Sequence, residues 1–161
     1  MFRRAGTVEA ALSDDRFSVQ AISDLVHLPV GVLRLIYKAK GSDKMYLITD
    51  GLEFSAFDMN EGEEFTQKNG VKVVYEDEVM KLADHSCLAG STANGARLVR
   101  NMYKTVGVPL AEAVKMMTLT PARVIGVDSY KGKIAEGYDA DIILFDENVE
   151  VSSVMINGKL A

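Results

Sequence analysis

Hydrophobic and polar positions between residues 17 and 50 predict a strand, a helix and a second strand. Residues 17–26 and 44–49 carry the aliphatic and β-branched side chains that are typical of a buried strand. Between them, Pro29 begins a helical spacing of apolar residues, and Gly41 stands where that helix is expected to end. Because the connection is short, we expect one right-handed crossover between two parallel strands.

The rest of the chain alternates polar, helical and strand-like patterns. Residues 7–12 are compatible with either a strand or a helical turn, since periodicity does not decide so short a segment. The polar stretch that follows the predicted crossover ends in an Asn-Gly pair and predicts a small hairpin over residues 64–80. Helical spacing is found in residues 92–106, 109–117 and a short piece from 120, and β-like patterns in residues 132–134, 141–145 and 151–156. The chain is therefore α/β first and β last, with a change near residue 130.

Composition narrows the class of protein. A chain of 161 residues with 48% apolar and 25% charged residues has the balance of a globular domain and excludes wholesale disorder. No apolar run approaches the roughly 18 residues of a membrane span, and the net charge of −5 argues against a nucleic-acid partner. The first four residues lack the apolar core of a signal peptide, and the single cysteine, Cys87, excludes an internal disulfide. We therefore expect a cytoplasmic protein.

Polar side chains follow both predicted parallel strands, where functional groups of α/β proteins usually lie. His27 and Asp24 stand at the end of the first strand, and Asp50 ends the second. Each also has a simpler interpretation, because an aspartate before a glycine is often a turn residue and a histidine near a proline often caps a helix. Asp24 is interpreted as a residue that orients a neighbour.

Two further features bear on candidate chemistry. Residues 88–92 (Leu-Ala-Gly-Ser-Thr) predict a loop of small residues that opens a helix, and such a loop can present backbone N–H groups to an anion or a carbonyl oxygen. Tight packing with a Ser or Thr N-cap is the simpler alternative. The chain contains only two histidines, His27 and His85, so a self-contained His-rich metal site is excluded.

Five segments together resemble the motifs of one enzyme family. Residues 3–12 resemble an Arg-x-Pro-Gly-x-x-Gly-Ala-Ala-Leu segment, and residues 22–29 resemble an Ile-Ala-Asp-Gly-x-His-x-x-Pro block. Residues 47–50 resemble a Val-Thr-Asp strand end, and residues 88–91 match a Leu-Ala-Gly-Ser motif. The segment 119–141 matches a pattern that many amidohydrolases share. The chain thus resembles the carboxy-terminal part of the N-acetylglucosamine-6-phosphate deacetylases, a family of the amidohydrolase superfamily.

The resemblance implies an α/β fold, a (β/α)8 TIM barrel that carries a small β-sandwich built from both chain ends. The two predicted parallel strands would be the last two strands of the barrel, with their helices. Residues 1–130 would form this partial barrel, and residues 131–161 the carboxy-terminal strands of the sandwich.

The resemblance also implies an activity, the hydrolysis of N-acetylglucosamine 6-phosphate to glucosamine 6-phosphate and acetate. Asp50 would be the catalytic carboxylate, which takes a proton from a metal-bound water and returns it to the leaving amine. His27 would contact the substrate, together with Leu88, Ala89 and Gly90. Arg3 would reach the substrate phosphate across a homodimer interface, because a guanidinium can hold phosphate oxygens bidentately.

The sequence departs from the family at several positions. The resemblance implies zinc or iron for the full-length enzyme. This chain lacks the ligands that the family's earlier strands supply, namely His-x-His, Glu and two further His. We therefore expect no tightly bound metal in this chain, and we expect it to be inactive alone. Ala5 and Leu25 replace a proline and a glycine of the motifs, and Gly51 follows Asp50 where the family usually has alanine.

These departures leave two other hypotheses open. In the first, the chain belongs to a different amidohydrolase that acts on a cyclic amide or another N-acyl sugar. In the second, it is a non-catalytic split subunit or a truncated relic. Two strands cannot close a barrel, so their edges need cover. The expected partners are a missing amino-terminal half or further copies of the same chain.

Overall fold

The computed structural model describes residues 6–55 and 57–161 and contains helices and strands in a mixed α/β order. The helices are α1 (Thr7–Ser13), α2 (Val30–Lys44), α3 (Gly95–Arg100), α4 (Leu110–Met117) and α5 (Leu119–Val124). The strands are β1 (Val19–Ala21), β2 (Met45–Leu47), β3 (Glu64–Thr66), β4 (Lys72–Glu76), β5 (Val79–Leu82), β6 (Leu88–Ser91), β7 (Ile142–Phe145), β8 (Val151–Ile156) and β9 (Lys159–Leu160). Helix α3 continues without a break as a π-helical stretch, Asn101–Val106.

The predicted strand–helix–strand unit is confirmed. Strands β1 and β2 pair in parallel, with Val19 opposite Met45 and Ala21 opposite Leu47, and α2 connects them. Helix α2 leaves helical geometry at Gly41, whose positive φ of 61° favours glycine, and helical structure then resumes as far as Lys44. The predicted end at Gly41 is therefore a kink within α2.

Both strands are shorter than the sequence predicts. The prediction of a strand over residues 17–26 is wrong beyond Ala21, because the chain turns there. Leu25 has a φ of 72°, and the Asp24 carboxylate accepts hydrogen bonds from the N–H groups of Val26 and His27 that a strand would need.

The main core lies between the parallel pair and the helices α2, α3 and α4. It is built around fully buried side chains from these elements and from the π-helical stretch, namely Leu33, Met45, Leu98, Met102 and Met116. The methionines fill space between helices, which agrees with their use as adaptable core residues. The core therefore fixes the ends of β1 and β2 relative to the π-helical stretch.

The polar middle of the chain forms a four-stranded antiparallel sheet in the order β3-β4-β5-β6. The predicted hairpin corresponds to β3 and β4, and two more strands extend it. The prediction of a loop at residues 88–92 is wrong, because Leu88–Ser91 pairs with β5 as a strand. The next helix begins at Gly95, where the Asn94 side chain accepts a hydrogen bond from the Arg97 N–H at 2.9 Å.

The end of the chain forms a separate antiparallel sheet in the order β7-β8-β9. The patterns over residues 141–145 and 151–156 are confirmed as β7 and β8. Residues 132–134 are not a strand, because Gly132 has a φ of 93° and Ile134 is 84% exposed without a neighbouring strand. None of the helices in the described ranges is both long enough and apolar enough to cross a membrane.

Candidate active site at the ends of the parallel strands

The parallel pairing brings the candidate polar residues to one edge of the sheet. Since β1 and β2 run in the same direction, the residues that follow each strand emerge at their shared carboxyl edge. Asp24 and His27 follow β1, and Asp50 follows β2. The strand-end rule therefore predicted the location of these three residues from sequence.

His27 is held by the carboxylate of Asp24. Its Nδ1 atom lies 2.7 Å from Oδ2 of Asp24, and its side chain is 17% exposed while that of Asp24 is fully buried. The other carboxylate oxygen, Oδ1, accepts hydrogen bonds from the N–H groups of Val26 at 3.0 Å and His27 at 2.9 Å. The interpretation of Asp24 as a residue that orients a neighbour agrees with this geometry.

The surroundings of Asp24 keep it ionised. Burial acts to raise the pKa of this carboxyl group, but hydrogen bonds from the His27 N–H and ring, the Ser91 hydroxyl and the Val26 N–H outweigh it. The pKa of Asp24 is therefore lowered from its ordinary value. In its ionised form, the Asp24 carboxylate only accepts hydrogen bonds from the donors around it.

Asp50 has a different environment, with an exposed side chain and a backbone fixed by β6. Its φ of 51° lies in the left-handed region, which aspartate tolerates better than most residues. Its carbonyl oxygen accepts a hydrogen bond from the Ser91 N–H at 3.1 Å, and Gly51 forms a parallel bridge with Ser91. The carboxylate is thus free to meet a ligand while its backbone is anchored.

Gly90 makes this anchoring possible. Its φ is 126°, and a Cβ atom at this position would lie 2.9 Å from the Asp50 carbonyl oxygen and 3.1 Å from Cγ of Leu52. The Leu-Ala-Gly-Ser segment therefore runs directly alongside Asp50. Of the three predicted binding residues in it, Leu88 is exposed, Ala89 half-buried and Gly90 buried. Arg3, the remaining predicted binding residue, lies outside the described residues.

Comparisons with known proteins match this arrangement to one family. The model of the Amidohydrolase family matches residues 32–161 of the chain. The chain belongs to the amidohydrolase family. The resemblance of its motifs to the deacetylases of this family is likewise confirmed by the relatives that match it.

Three relatives differ in how much of their own length the chain matches. It is 34% identical to an N-acetylglucosamine-6-phosphate deacetylase of Haemophilus influenzae, covering 98% of the chain and 40% of that protein. The N-acetylglucosamine-6-phosphate deacetylase structure from Pasteurella multocida superposes with a TM-score of 0.88 at 30% identity, covering 97% of the chain and 39% of that structure. A putative N-acetylgalactosamine-6-phosphate deacetylase of Escherichia coli K12 is 34% identical and matches over 99% of the chain and 92% of its own length.

The residues present do not by themselves fit a metal ion. Within residues 6–55 and 57–161, no group of three or more His, Cys, Asp or Glu side chains converges in a way that could hold one. A divalent metal needs three or four such ligands. An amidohydrolase metal centre would therefore need ligands from outside this part of the chain.

Sequence reasoning did not predict the contacts that connect the two strand ends to the rest of the site. The Ser23 hydroxyl donates to the Leu98 carbonyl at 3.1 Å, and the Asn101 side chain donates to the Ser23 carbonyl at 2.8 Å. Ser91, through its N–H, holds the Asp50 backbone. The two partners of each contact lie far apart in sequence, so no local pattern indicates that they meet.

Leu25 occupies the place of the family's glycine and shows why that glycine suits the turn. With a φ of 72°, a residue with a Cβ atom carries about 1 kcal/mol or more of strain. We expect Leu25→Gly to be more stable than Leu25→Ala by about 1 kcal/mol, because both lose the leucine side chain and the alanine variant alone keeps the strain. Urea unfolding of the two variants measures this difference.

A control for the Leu25 variants comes from Leu35, which lies exposed in the helical part of α2. There the order should reverse, with Leu35→Gly less stable than Leu35→Ala by about 1 kcal/mol. Equal stability of the two Leu25 variants would show that the turn does not impose the left-handed conformation in solution.

Proposed function

We propose that this chain supplies the proton-transferring end of the active site of a deacetylase that acts on N-acetylated amino-sugar 6-phosphates, with N-acetylglucosamine 6-phosphate as the first candidate. The observation that carries the proposal is the exposed carboxylate of Asp50 at the carboxyl end of a parallel strand, with its backbone anchored to the Leu-Ala-Gly-Ser segment. The names of the relatives supply the substrate class.

The finer architecture is part of this proposal. Strands β1 and β2, with α2 between them, correspond to the last two strands of a (β/α)8 barrel, and β7, β8 and β9 to one part of a small β-sandwich. Residues 1–130 and 131–161 are the two regions. In support, the pair is parallel and joined by a helical crossover, while the last sheet is antiparallel and separate.

Asp50 acts as the proton carrier. A carboxylate can take a proton from the water that attacks the N-acetyl carbonyl and give it to the amine nitrogen as the C–N bond breaks. This requires a carboxylate with open access to both atoms, and the exposure of Asp50 supports it. The atoms balance, since acetate keeps the water oxygen and the amine keeps the proton.

The remaining contacts follow from the same arrangement. His27 faces the substrate with the ring edge opposite Asp24, and the backbone of residues 88–90 lies alongside the sugar. Arg3 from a second copy would hold the phosphate. The zinc or iron of the family would be held by ligands that the described residues lack. A cytoplasmic location agrees with the single, unpaired Cys87.

A second candidate substrate is the 4-epimer, N-acetylgalactosamine 6-phosphate. The observation that favours it is the relative from Escherichia coli K12, which matches the chain over 92% of its own length and carries that substrate in its name. The same Asp50 chemistry serves both sugars, because the epimeric hydroxyl is not part of the bond that breaks.

The decisive experiment is a hybrid enzyme. The chain replaces the 157-residue region that it matches in the Haemophilus influenzae deacetylase, and acetate release is measured from both sugar phosphates with zinc or ferrous iron present. We expect release by the hybrid and none by the isolated chain. The intact relative, assayed in parallel, controls for conditions. A folded hybrid that releases acetate from neither sugar contradicts the proposal, and hydrolysis of a cyclic amide instead would favour the other amidohydrolase class.

A further inference from the structure

We propose that Asp24 is a positioning residue that fixes the tautomer and orientation of His27, with the proton of the neutral ring on Nδ1 and the lone pair of Nε2 turned away from Asp24 toward the ligand side. The ring tautomer is independent of the proposed function, and its consequence for substrate binding rests on that function.

The first step is the convergence of donors on one carboxylate. Two backbone N–H groups, those of Val26 and His27, meet Oδ1 at 3.0 and 2.9 Å, and Nδ1 of His27 meets Oδ2 at 2.7 Å. The side chain of Asp24 is fully buried, so water does not replace these partners.

The second step is the chemistry of an ionised carboxylate, which accepts hydrogen bonds and donates none. A short Nδ1···Oδ2 contact is therefore a hydrogen bond only if Nδ1 carries the hydrogen. In the neutral imidazole this places the lone pair on Nε2. The surrounding donors outweigh burial and hold the pKa of Asp24 below its ordinary value, which keeps this carboxylate ionised.

The third step is rigidity. The same carboxylate that bonds the ring also bonds the backbone N–H of His27, so the ring and its own main chain share one anchor. Ser23, which directly precedes Asp24, is hydrogen-bonded to Leu98 of α3 and to Asn101 of the π-helical stretch. The imidazole is thus fixed to the core before a ligand arrives, which lowers the entropy cost of binding.

The test is nitrogen NMR of the ring in the full chain. Long-range proton–nitrogen spectra of the neutral ring should show Nδ1 of His27 with the shift of a protonated nitrogen and Nε2 with that of an unprotonated one. His85, whose Nδ1 lies 3.2 Å from Oε2 of Glu76 and whose side chain is 55% exposed, is the control for effects that are not specific to Asp24. A dominant Nε2–H form of His27 in the wild-type chain overturns the proposal whatever any variant does.

Asp24→Asn provides the matched variant. The amide oxygen can still accept from the N–H groups of Val26 and His27, while the amide NH2 now faces Nδ1 and forces the proton to Nε2. The His27 shifts should therefore exchange and those of His85 should stay. In the hybrid enzyme the variant should raise KM roughly tenfold or more, with a smaller change in kcat. The reason is that the His27 ring loses its hydrogen bond to the charged carboxylate of Asp24.

The outcomes separate the two claims. Exchanged ring shifts without any deacetylase activity in the hybrid would support the positioning role and contradict the proposed function. Unchanged ring shifts in a folded Asp24→Asn chain would contradict the positioning role even if the hybrid is active. If the variant does not fold, the wild-type spectrum alone decides.

Discussion

Asp50→Asn in the hybrid enzyme should lower kcat for acetate release by about 100- to 10,000-fold, the usual contribution of a general acid–base group. The amide has nearly the shape of the carboxylate but cannot accept a proton from water at neutral pH. Asparagine also tolerates the left-handed backbone, so the φ of 51° and the bond from the Ser91 N–H should persist. The measurement is kcat and KM on both sugar phosphates.

The matched control is Asp58→Asn, which removes the same charge from an exposed aspartate in the segment after Asp50. It should change kcat less than twofold, which corresponds to about 0.4 kcal/mol in the activation free energy. Equal stability of the two variants by urea unfolding shows that the loss is chemical. A hybrid that keeps its full kcat with Asn at position 50 would remove Asp50 from the reaction and leave the chain a binding or structural part.

The parallel unit was predictable because its signals are local. Aliphatic runs, Pro29 and Gly41 each act within a few residues of their own position, and together they define a strand, a helix and a strand. The strand-end rule then located His27 and Asp50 without any knowledge of contacts. The strand ends were overestimated because the Asp24 carboxylate captures N–H groups that a hydrophobicity pattern does not weigh.

The structure of residues 88–91 was not predictable in the same way. Small residues with a glycine favour a loop by composition, yet the segment pairs with β5 through a register shift and runs beside Asp50. That pairing depends on where the β4–β5 hairpin places β5, which is determined by tertiary structure. The contacts of Ser23 with Leu98 and Asn101 span 75 and 78 residues, beyond any local pattern.

Gly90→Ala should destabilise the chain by about 3 kcal/mol, near the upper end for a backbone forced into an unfavourable region. Two costs add at this position. A φ of 126° lies where residues with a Cβ atom are rarely found, and the new methyl group would lie 2.9 Å from the Asp50 carbonyl oxygen. Relief of the clash requires the two segments to separate, which breaks the hydrogen bond from the Ser91 N–H. Urea unfolding measures the loss.

Gly70→Ala separates the two costs, because Gly70 also has a positive φ, 86°, but open space around its Cβ position. It should cost about 1 kcal/mol, the left-handed penalty alone. The excess loss at Gly90 then reports the close approach of β6 to Asp50, and in the hybrid enzyme the Gly90 variant should also lose kcat because the carboxylate is displaced. If both glycine variants lose the same stability, β6 and Asp50 are not in contact in solution, and the anchoring of the catalytic carboxylate has to come from elsewhere.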